Sequence, residues 1–303
     1  AGIDNCLLDI TAQSFDVPVY ALLNGPSRDT VDLYWSHCAT TRVRHAAEVG
    51  QTRPTALADF ESIGKEVSDS GYRAAKTNLI MLGDPPTVIS QGFRGPPGSS
   101  DRLLGRLVPA SVLSVIEALK AGMAPDGALM LDINMHLRTE GVVRLAHELA
   151  DVGLHWLEVD LGDPDSLRYV RERATMPIAS GEGLFTPSSY KPYLDAGAMD
   201  VALVDVRWAG LRMAKRIADL ALLYEINVAP HNHGSPLSTL MSAHFCAAVS
   251  NLHHLEYDVD DVPWRDSILS SPLQIKDGQL RIPTGRGWGA EINEEIIRTA
   301  QRS

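Results

Sequence analysis

The sequence contains few cysteines and no long apolar run. Cys6, Cys38 and Cys246 are the only cysteines among 303 residues, and they form no Cys-x-x-Cys pair. This spacing does not suit a disulfide framework or a thiolate zinc site, and it favours a reducing, cytoplasmic location. No apolar run is long enough to cross a bilayer, so we expect neither a membrane partner nor a signal peptide.

An excess of positive charge is also lacking. Lysine and arginine number 27 against 38 acidic residues, which gives a formal net charge of −11. Such a chain repels nucleic-acid phosphates, so we expect no nucleic-acid partner. A small anionic substrate remains compatible, because a bound divalent cation can invert the local field. Hydrophobic residues make up 45% of the chain, which is enough for a large core.

Short apolar runs alternate with amphipathic helical segments along most of the chain. Most of these runs are apolar on both faces before they end in a polar residue, as buried parallel strands do. The predicted strands are Val31–His37, Ala74–Leu79, Leu129–Asn134, Trp156–Asp160, Pro177–Ser180, Val201–Val206, Asn227–Pro230 and His254–Tyr257. Eight strand–helix steps predict an α/β fold with a TIM-type (β/α) barrel, and an open doubly wound sheet is the alternative.

One segment interrupts this alternation. Gly83–Gly105 is rich in proline, glycine and serine and follows the second predicted strand. A long loop on the presumed catalytic side of a barrel is typical of a lid or a substrate-contacting flap. A solvent loop without a catalytic role is the alternative.

Polar groups follow every predicted strand from the second to the eighth. Each of these groups is able to bind a metal, move a proton or hold a substrate. They are Lys76, Asn78, Asp132, Asn134, Glu158, Glu182, Asp205, His231 and Glu256. Because catalytic residues of barrels lie at the C-terminal ends of the strands, we expect these side chains to meet at one mouth.

Three of these groups are carboxylates on consecutive strands. Asp132, Glu158 and Glu182 are spaced 26 and 24 residues apart, about one strand–helix unit each. Carboxylates crowded at a barrel mouth repel one another unless a cation joins them. Ligands that offer only oxygen suit Mg²⁺, which keeps coordination positions open for substrate. The alternative is that each carboxylate caps a helix or pairs with an arginine.

Three further groups are candidates for proton transfer. Asp205 and His231 follow neighbouring strands, where an aspartate can orient one imidazole nitrogen and leave the other as a proton carrier. Lys76 lies in the last part of the second strand, where a nearby divalent ion would lower its pKa and let it act as a base or hold a carboxylate. A solvated surface lysine is the alternative for Lys76.

The chain resembles the enolase superfamily, in its mandelate-racemase-like branch. The resemblance covers nearly the whole chain and rests on several motifs together. They are Asp4–Ile10, Val17–Tyr20 and Leu22–Gly25 in the lead-in, Gly71–Asn78 at the second strand, Asp132-x-Asn134, Glu158 and Glu182 at the metal-ligand strands, Asp205–Gly210, Ala229–Asn232 and Leu255-Glu256 at the last three strands, and Gly285–Glu291 near the end. The resemblance implies a modified (β/α)7β barrel with Mg²⁺ held by the three carboxylates.

The resemblance also implies a half-reaction. The carboxylate of a small-molecule substrate chelates Mg²⁺, a base removes the α-proton, and the metal stabilises the enediolate. We expect a lyase that eliminates water from a sugar acid. A racemase, an epimerase or a cycloisomerase of the same superfamily is the alternative. The resemblance further implies a homo-oligomer, although no feature of the sequence establishes one.

The chain departs from the family pattern at Asn78, where the family often has a second lysine. Asparagine cannot take a proton, which favours one-sided chemistry by His231 and Asp205. Asn78, Asn134 and Glu256 are expected to contact substrate, with Glu256 in its protonated form as one option. Asp160 follows Glu158 closely where the family has an acidic-proline sequence, and it could reach the metal.

The resemblance further implies a division of the chain. Residues 1–30 correspond to the end of a capping-domain helix and the lead-in, and residues 31–270 to the catalytic barrel. Residues 271–303 correspond to a segment that would pack back on an N-terminal capping domain. In the resembling family the capping domain selects the substrate, so we expect most determinants of specificity to lie outside the residues of this sequence.

Two other classes of protein compete with this interpretation. A zinc metallohydrolase would use His231-Asn232-His233, with His253 and His254 nearby, but such barrels carry this motif on the first strand and the acidic residues would be unexplained. We therefore interpret His233, His244, His253 and His254 as loop and helix-packing residues. A barrel that binds metal and ligand without catalysis is the second alternative.

Overall fold

A computed structural model describes residues 1–89, 108–134 and 137–300 of the chain. Residues 90–105 of the predicted flap lie outside the described residues, so the role of this segment stays a prediction. Within the described ranges, no helix is both long and apolar enough to cross a bilayer.

Eight parallel strands form the central sheet. In chain order the strands are β1 (Thr30–Ser36), β2 (Ala74–Asn78), β3 (Ile80–Met81), β4 (Thr87–Val88), β5 (Ala128–Asp132), β6 (Leu157–Glu158), β7 (Ile178–Ser180), β8 (Val201–Asp205), β9 (Asn227–His231), β10 (Leu255–Asp258), β11 (Ile275–Lys276) and β12 (Gln279–Arg281). Parallel pairing runs from β1 through β2, β5, β6, β7 and β8 to β9, and β10 pairs with β1. The hairpin of β11 and β12 joins the start of β1 in antiparallel orientation.

Helices alternate with the eight barrel strands. They are α1 (Gly2–Ser14), α2 (Thr40–His45), α3 (Leu57–Asp69), α4 (Val108–Gly122), α5 (Thr139–Glu148), α6 (Pro164–Arg171), α7 (Pro187–Asp195), α8 (Val206–Ala209), α9 (Leu211–Leu223), α10 (Pro236–Ala248) and α11 (Glu294–Ala300). At least one helix lies between each barrel strand and the next, in the order β1, β2, β5, β6, β7, β8, β9 and β10, whereas β10 leads to a 3₁₀ turn and the hairpin. This order agrees with the expected (β/α)7β fold.

The pattern of burial explains the strands. Every residue of β2 and of β8 is buried, as expected for parallel strands covered on both faces. The barrel interior is filled mainly by apolar side chains, among them Tyr34, Met130, Trp156 and Leu203. A larger apolar cluster lies between the strands and the surrounding helices. All eight predicted strands are confirmed, and each boundary is correct to within two residues.

The closure between β9 and β10 is looser than the other strand junctions. A single bridge joins Val228 to Leu252, and the His253 amide donates to the Val228 carbonyl at 2.8 Å. No continuous ladder joins these two strands in the part of the chain that the structure describes. The two strands still lie side by side, since the Asn232 amide after β9 donates to the Glu256 carboxylate of β10 at 2.8 Å.

The two ends of the chain pack against each other beside α10. The Val19 amide donates to the Gly287 carbonyl at 2.9 Å, and the Gly287 amide donates to the Val17 carbonyl at 3.0 Å. Gly287 has a φ of +63°, and a Cβ at this position would lie 2.2 Å from Asp9 Oδ1, so the contact requires glycine. The division of the chain at residues 30 and 270 stays a prediction.

His244 of α10 holds this junction together. Its Nδ1 accepts a hydrogen bond from the Tyr20 amide at 3.2 Å, and its Nε2 lies 3.2 Å from the Trp288 carbonyl. An imidazole that accepts at Nδ1 and donates at Nε2 is neutral. Burial lowers the pKa of His244 to about 4. His244 is therefore a packing residue of α10, in agreement with the sequence-based interpretation.

We predict that His244 makes the free energy of unfolding fall in mild acid. The folded pKa is lower than the value of about 6.5 expected for an unfolded chain, so between these values the unfolded state binds more protons. The contribution of His244 to the free energy of unfolding is fully present above pH 6.5. It falls by about 3 kcal/mol as the pH falls to 4. Urea unfolding of the His244→Gln variant should show a smaller loss over this range. The exposed His147→Gln control should unfold like the unaltered protein, and an unchanged pH slope in His244→Gln would contradict the prediction.

Candidate metal and proton-transfer site

The structure brings all nine predicted site residues to one end of the barrel. Five of them are the last residues of their strands, two follow their strand by two residues, and two precede the strand end by two residues. In that order they are Asn78, Asp132, Glu158, Asp205 and His231; Asn134 and Glu182; and Lys76 and Glu256. The register aligns Asn78 with Asp132, Asp132 with Glu158, and Asp205 with His231. Neighbouring strands therefore present these side chains at one level, as the sequence predicts.

Lys76 lies at the centre of a buried ion-pair network. Its Nζ lies 2.8 Å from Glu158 Oε2 and 2.9 Å from Glu256 Oε1, and all three side chains are at most 3% exposed. Glu256 also accepts a hydrogen bond from the Ser36 hydroxyl and another from the Asn232 amide. Lys76 thus connects β2 to β6 and β10 across the barrel interior.

This network determines the protonation of Lys76 and Glu256 in the ion-free chain. Burial lowers the pKa of Lys76, but the charges of Glu158 and Glu256 outweigh burial and raise the pKa well above its usual value. Lys76 is therefore a cation in the ion-free chain, and the lowered pKa expected beside a divalent ion stays a prediction. Burial raises the pKa of Glu256, but the charges of Lys76, His231 and His37 outweigh it and lower the pKa below its usual value. Glu256 is therefore ionised in the ion-free chain, and its protonated form beside bound substrate stays a prediction.

Two asparagines hold the Asp132 carboxylate. The Asn134 amide donates to Asp132 Oδ1 at 2.7 Å, and its side chain donates to Oδ2 at 2.8 Å. The Asn78 side chain donates to the Asp132 carbonyl at 3.2 Å and to Oδ2 at 3.3 Å. Asn134 has a φ of +50°, a left-handed conformation that asparagine tolerates. In the structure both residues position Asp132, and their contact with substrate stays a prediction.

Burial and mutual repulsion raise the pKa values of two acidic side chains at the mouth. Burial raises the pKa of Glu158 above its usual value, although Lys76 lowers it, and the charges of Asp132 and Glu182 raise it further. Burial raises the pKa of Glu182 to about 7, with Asp160 and Asp132 adding to the rise. Asp160 accepts hydrogen bonds from the Gly181 amide at 3.2 Å and from the Ser180 hydroxyl at 3.3 Å.

His231 and Asp205 form the predicted pair. His231 Nδ1 lies 2.8 Å from Asp205 Oδ2, and its Nε2 lies 3.2 Å from Glu182 Oε2. Asp205 is fixed in turn by the backbone amides of Arg207 and Trp208, at 2.6 and 3.0 Å, and by the Arg207 guanidinium at 2.8 Å. These donors hold the carboxylate in one orientation, and the carboxylate holds the imidazole.

Two neighbours set the charge and the orientation of this imidazole. Burial lowers the pKa of His231, but the hydrogen bond to Asp205 and the charges of Glu256 and Glu182 raise it to about 9. The indole ring of Trp208 lies 5.0 Å from the imidazole ring, measured between centroids. Nε2 therefore faces the carboxylates at the mouth while Nδ1 is held by Asp205.

The donor set at the mouth fits a hard divalent cation. Asp132, Glu158 and Glu182 offer only oxygen atoms, which Mg²⁺ prefers. Glu158 Oε1 is buried and has no hydrogen-bond partner among the residues described. Each carboxylate also has a competing partner, since Glu158 contacts Lys76, Asp132 contacts Asn134 and Glu182 contacts His231. Side-chain rotation would be needed to gather the three carboxylates around one ion.

Sequence reasoning missed a second polar group beside this site. His37 follows β1, His233 follows β9, and Asp258 ends β10. Asp258 Oδ1 lies 2.7 Å from His37 Nδ1, and its Oδ2 lies 2.8 Å from His233 Nδ1. His233 and Asp258 line a cleft of about 510 Å³. The signal for this group in the sequence is that the predicted first strand ends at His37.

Comparison with known proteins identifies the family. A family model described as enolase C-terminal domain-like matches residues 61–296. D-xylonate dehydratase of Haloferax volcanii is 28% identical over 301 residues, which are 98% of this chain and 68% of that protein. D-galactarolactone cycloisomerase of Agrobacterium fabrum is 30% identical over 308 residues, covering 98% of this chain and 72% of that protein.

A solved structure supports the same assignment. The crystal structure of a proposed L-alanine-DL-glutamate epimerase from Burkholderia xenovorans, bound to magnesium and fumarate, is 38% identical to this chain. The two structures match with a TM-score of 0.94 over 98% of this chain and 74% of the other. The central sheet therefore agrees with the fold that the resemblance implied. The chain belongs to the enolase C-terminal domain-like family, among the enzymes of the enolase superfamily.

Proposed function

We propose that this barrel removes the α-proton of a carboxylate substrate with the help of Mg²⁺, and that it eliminates water from a sugar acid. The observation that carries the proposal is the His231–Asp205 pair, which faces Glu182 at the same mouth as Asp132 and Glu158. Matches to D-xylonate dehydratase and to L-rhamnonate dehydratase, the latter from Saccharopolyspora erythraea, support this reaction class.

The carboxylates of Asp132, Glu158 and Glu182 would hold the ion. Mg²⁺ bound there would polarise the substrate carboxylate and stabilise the negative charge that develops on it as the α-proton leaves. Asn78 and Asn134 would keep Asp132 in place, because both side chains already donate to it. The orphaned Glu158 Oε1 would gain a partner.

Lys76 would provide positive charge for the substrate without taking a proton. Its ammonium group forms ion pairs with Glu158 at 2.8 Å and with Glu256 at 2.9 Å, and both pairs favour the charged form. Asn78 lies on the same strand and cannot act as a base. Neither Lys76 nor Asn78 would therefore accept a proton on this side of the substrate. This favours chemistry that uses a single base on the opposite side.

His231 would be that base. Engagement of Glu182 by the ion would remove one of the charges that raise the pKa of His231, and the imidazole could then accept the α-proton at Nε2. As the bond between the β-carbon and the hydroxyl oxygen breaks, the same proton joins the departing hydroxyl and water leaves. The remaining enol becomes a 2-keto-3-deoxy acid by tautomerisation.

An isomerase is the second candidate, because matched proteins include a cycloisomerase and a proposed epimerase. An epimerase that works with two bases needs a proton acceptor on the Lys76 side as well. The ion pairs of Lys76 disfavour that role. A cycloisomerase needs only one base and remains compatible with the site.

We predict that the full-length protein, incubated with Mg²⁺ and a library of mono- and di-acid sugars in D₂O, consumes the α-proton of one acid. Proton NMR should show the loss of this signal together with a 2-keto-3-deoxy product. Exchange of the α-proton without a new product would instead favour an epimerase. Absence of both across the library, with Mg²⁺ bound, would favour a barrel that binds ligand without catalysis.

We predict that His231→Asn lowers kcat by about 10²–10⁴-fold, the usual range for a general acid–base group. Mg²⁺ affinity, measured by calorimetry, should change little because His231 is not a proposed ligand. The exposed His147→Asn variant serves as the matched control. Joint loss of metal binding and activity in His231→Asn would indicate a structural role for the imidazole.

We predict that Asp132→Asn loses Mg²⁺ affinity and activity together. The loss of affinity should equal or exceed the roughly 10–100-fold cost of removing a partner that only orients a metal ligand. Asp126→Asn, in an exposed loop, should bind Mg²⁺ like the unaltered protein. Unchanged Mg²⁺ affinity in Asp132→Asn would refute the proposed ligand set.

A further inference from the structure

A cluster of three histidines lies at the opposite end of the barrel from the carboxylates. His155 directly precedes Trp156 and β6, and His253 and His254 directly precede β10. The strands β6 and β10 are four positions apart in the order of eight, so they belong to opposite walls. The three imidazoles therefore meet across the N-terminal opening of the barrel.

The nitrogen atoms of these rings lie close together. His155 Nε2 is 3.3 Å from His253 Nε2, and His253 Nδ1 is 2.6 Å from His254 Nδ1. One nitrogen can be chosen from each ring so that all three lie within 4.8 Å of one another. Two nitrogen ligands of a tetrahedral zinc ion are about 3.3 Å apart, as follows from bonds of about 2.05 Å. The spacing of the nitrogen atoms in the cluster is therefore close to that of a metal site.

The surrounding structure fixes the rings before any ligand arrives. The His155 amide donates to the Leu129 carbonyl, and the His253 amide donates to the Val228 carbonyl, each at 2.8 Å. The buried indole of Trp156 contacts both rings, with centroids 5.5 Å from His155 and 5.2 Å from His253. The imidazoles thus stand on the floor of the packed barrel interior, and each is partly open to solvent.

The protonation of the cluster suits metal binding. Burial lowers the pKa of His155, of His253 to about 4, and of His254, so all three rings are neutral near pH 7. The Asp32 carboxylate interacts electrostatically with His254 and makes the region more favourable for a cation. Neutral imidazoles prefer zinc, copper or nickel to the hard Mg²⁺ ion that suits the carboxylates at the other end.

We propose that His155, His253 and His254 form a second metal site, which takes a divalent cation of the zinc type and joins β6 to β10 across the floor of the barrel. The site lies outside the proposed catalytic machinery and does not depend on which reaction the other end performs. Its effect is on stability, because an ion bound only by the folded chain raises the free energy of unfolding.

The test uses the full-length protein, stripped with a chelator and kept in saturating Mg²⁺ at pH 7.5. Zn²⁺ is titrated by calorimetry, Co²⁺ by its visible absorption, and the melting temperature is followed with and without Zn²⁺. We expect one Zn²⁺ per chain, a Co²⁺ spectrum typical of nitrogen ligands, and a melting temperature that rises with Zn²⁺ concentration. His253→Gln and His155→Gln should each weaken Zn²⁺ binding by at least 100-fold.

Matched variants separate this site from the others. Asp132→Asn removes a proposed ligand at the opposite mouth, and His147→Gln removes an exposed histidine, so both should retain Zn²⁺ binding. Zn²⁺ affinity that is unchanged in folded His253→Gln and His155→Gln would overturn the proposal and leave a simple hydrogen-bonded chain of imidazoles. Zn²⁺ binding that persists in His253→Gln and His155→Gln but disappears in His37→Gln would place the ion at the His37–His233–Asp258 group. This result would equally overturn the proposal.

Discussion

Repulsion among buried carboxylates is the constraint on which the mouth of this barrel depends. Glu158 and Glu256 share the single ammonium group of Lys76, while Asp132, Glu182 and Asp160 crowd the same region. Buried charges are tolerated only when they are paired, hydrogen-bonded or bound to a metal. The ion pairs of Lys76, the amides around Asp132 and the imidazole of His231 each satisfy part of this demand. The remaining negative charge is what a divalent cation would compensate.

The fold could be predicted from the sequence because its strands are buried on both faces. Runs such as Val201–Val206 are apolar throughout, and that pattern identifies a strand without knowledge of its neighbours. The contacts between particular strands and loops were harder to predict from the sequence. The loose junction of β9 with β10, and the contact of Val19 with Gly287, depend on packing between segments far apart in the sequence.

The location of the candidate site was predictable because the position of a residue along its strand determines at which end of the barrel its side chain lies. Each polar residue at a strand end reached the same mouth, and the order of strands aligned Asp205 with His231. The charge states were not predictable in this way. The pKa values of Lys76 and Glu256 depend on contacts that join β2, β6 and β10 through the barrel interior. The histidine cluster at the floor was missed for the same reason, since its members come from opposite walls.

The most direct test of the account is X-ray diffraction from crystals of the full-length protein grown with Mn²⁺ in place of Mg²⁺. Mn²⁺ prefers the same oxygen ligands and gives an anomalous signal that locates the ion independently of the surrounding protein. The account predicts a peak bounded by the carboxylates of Asp132, Glu158 and Glu182. Absence of a peak there, or a peak only at His37, His233 and Asp258, would contradict the claim that the crowded carboxylates exist to hold a metal.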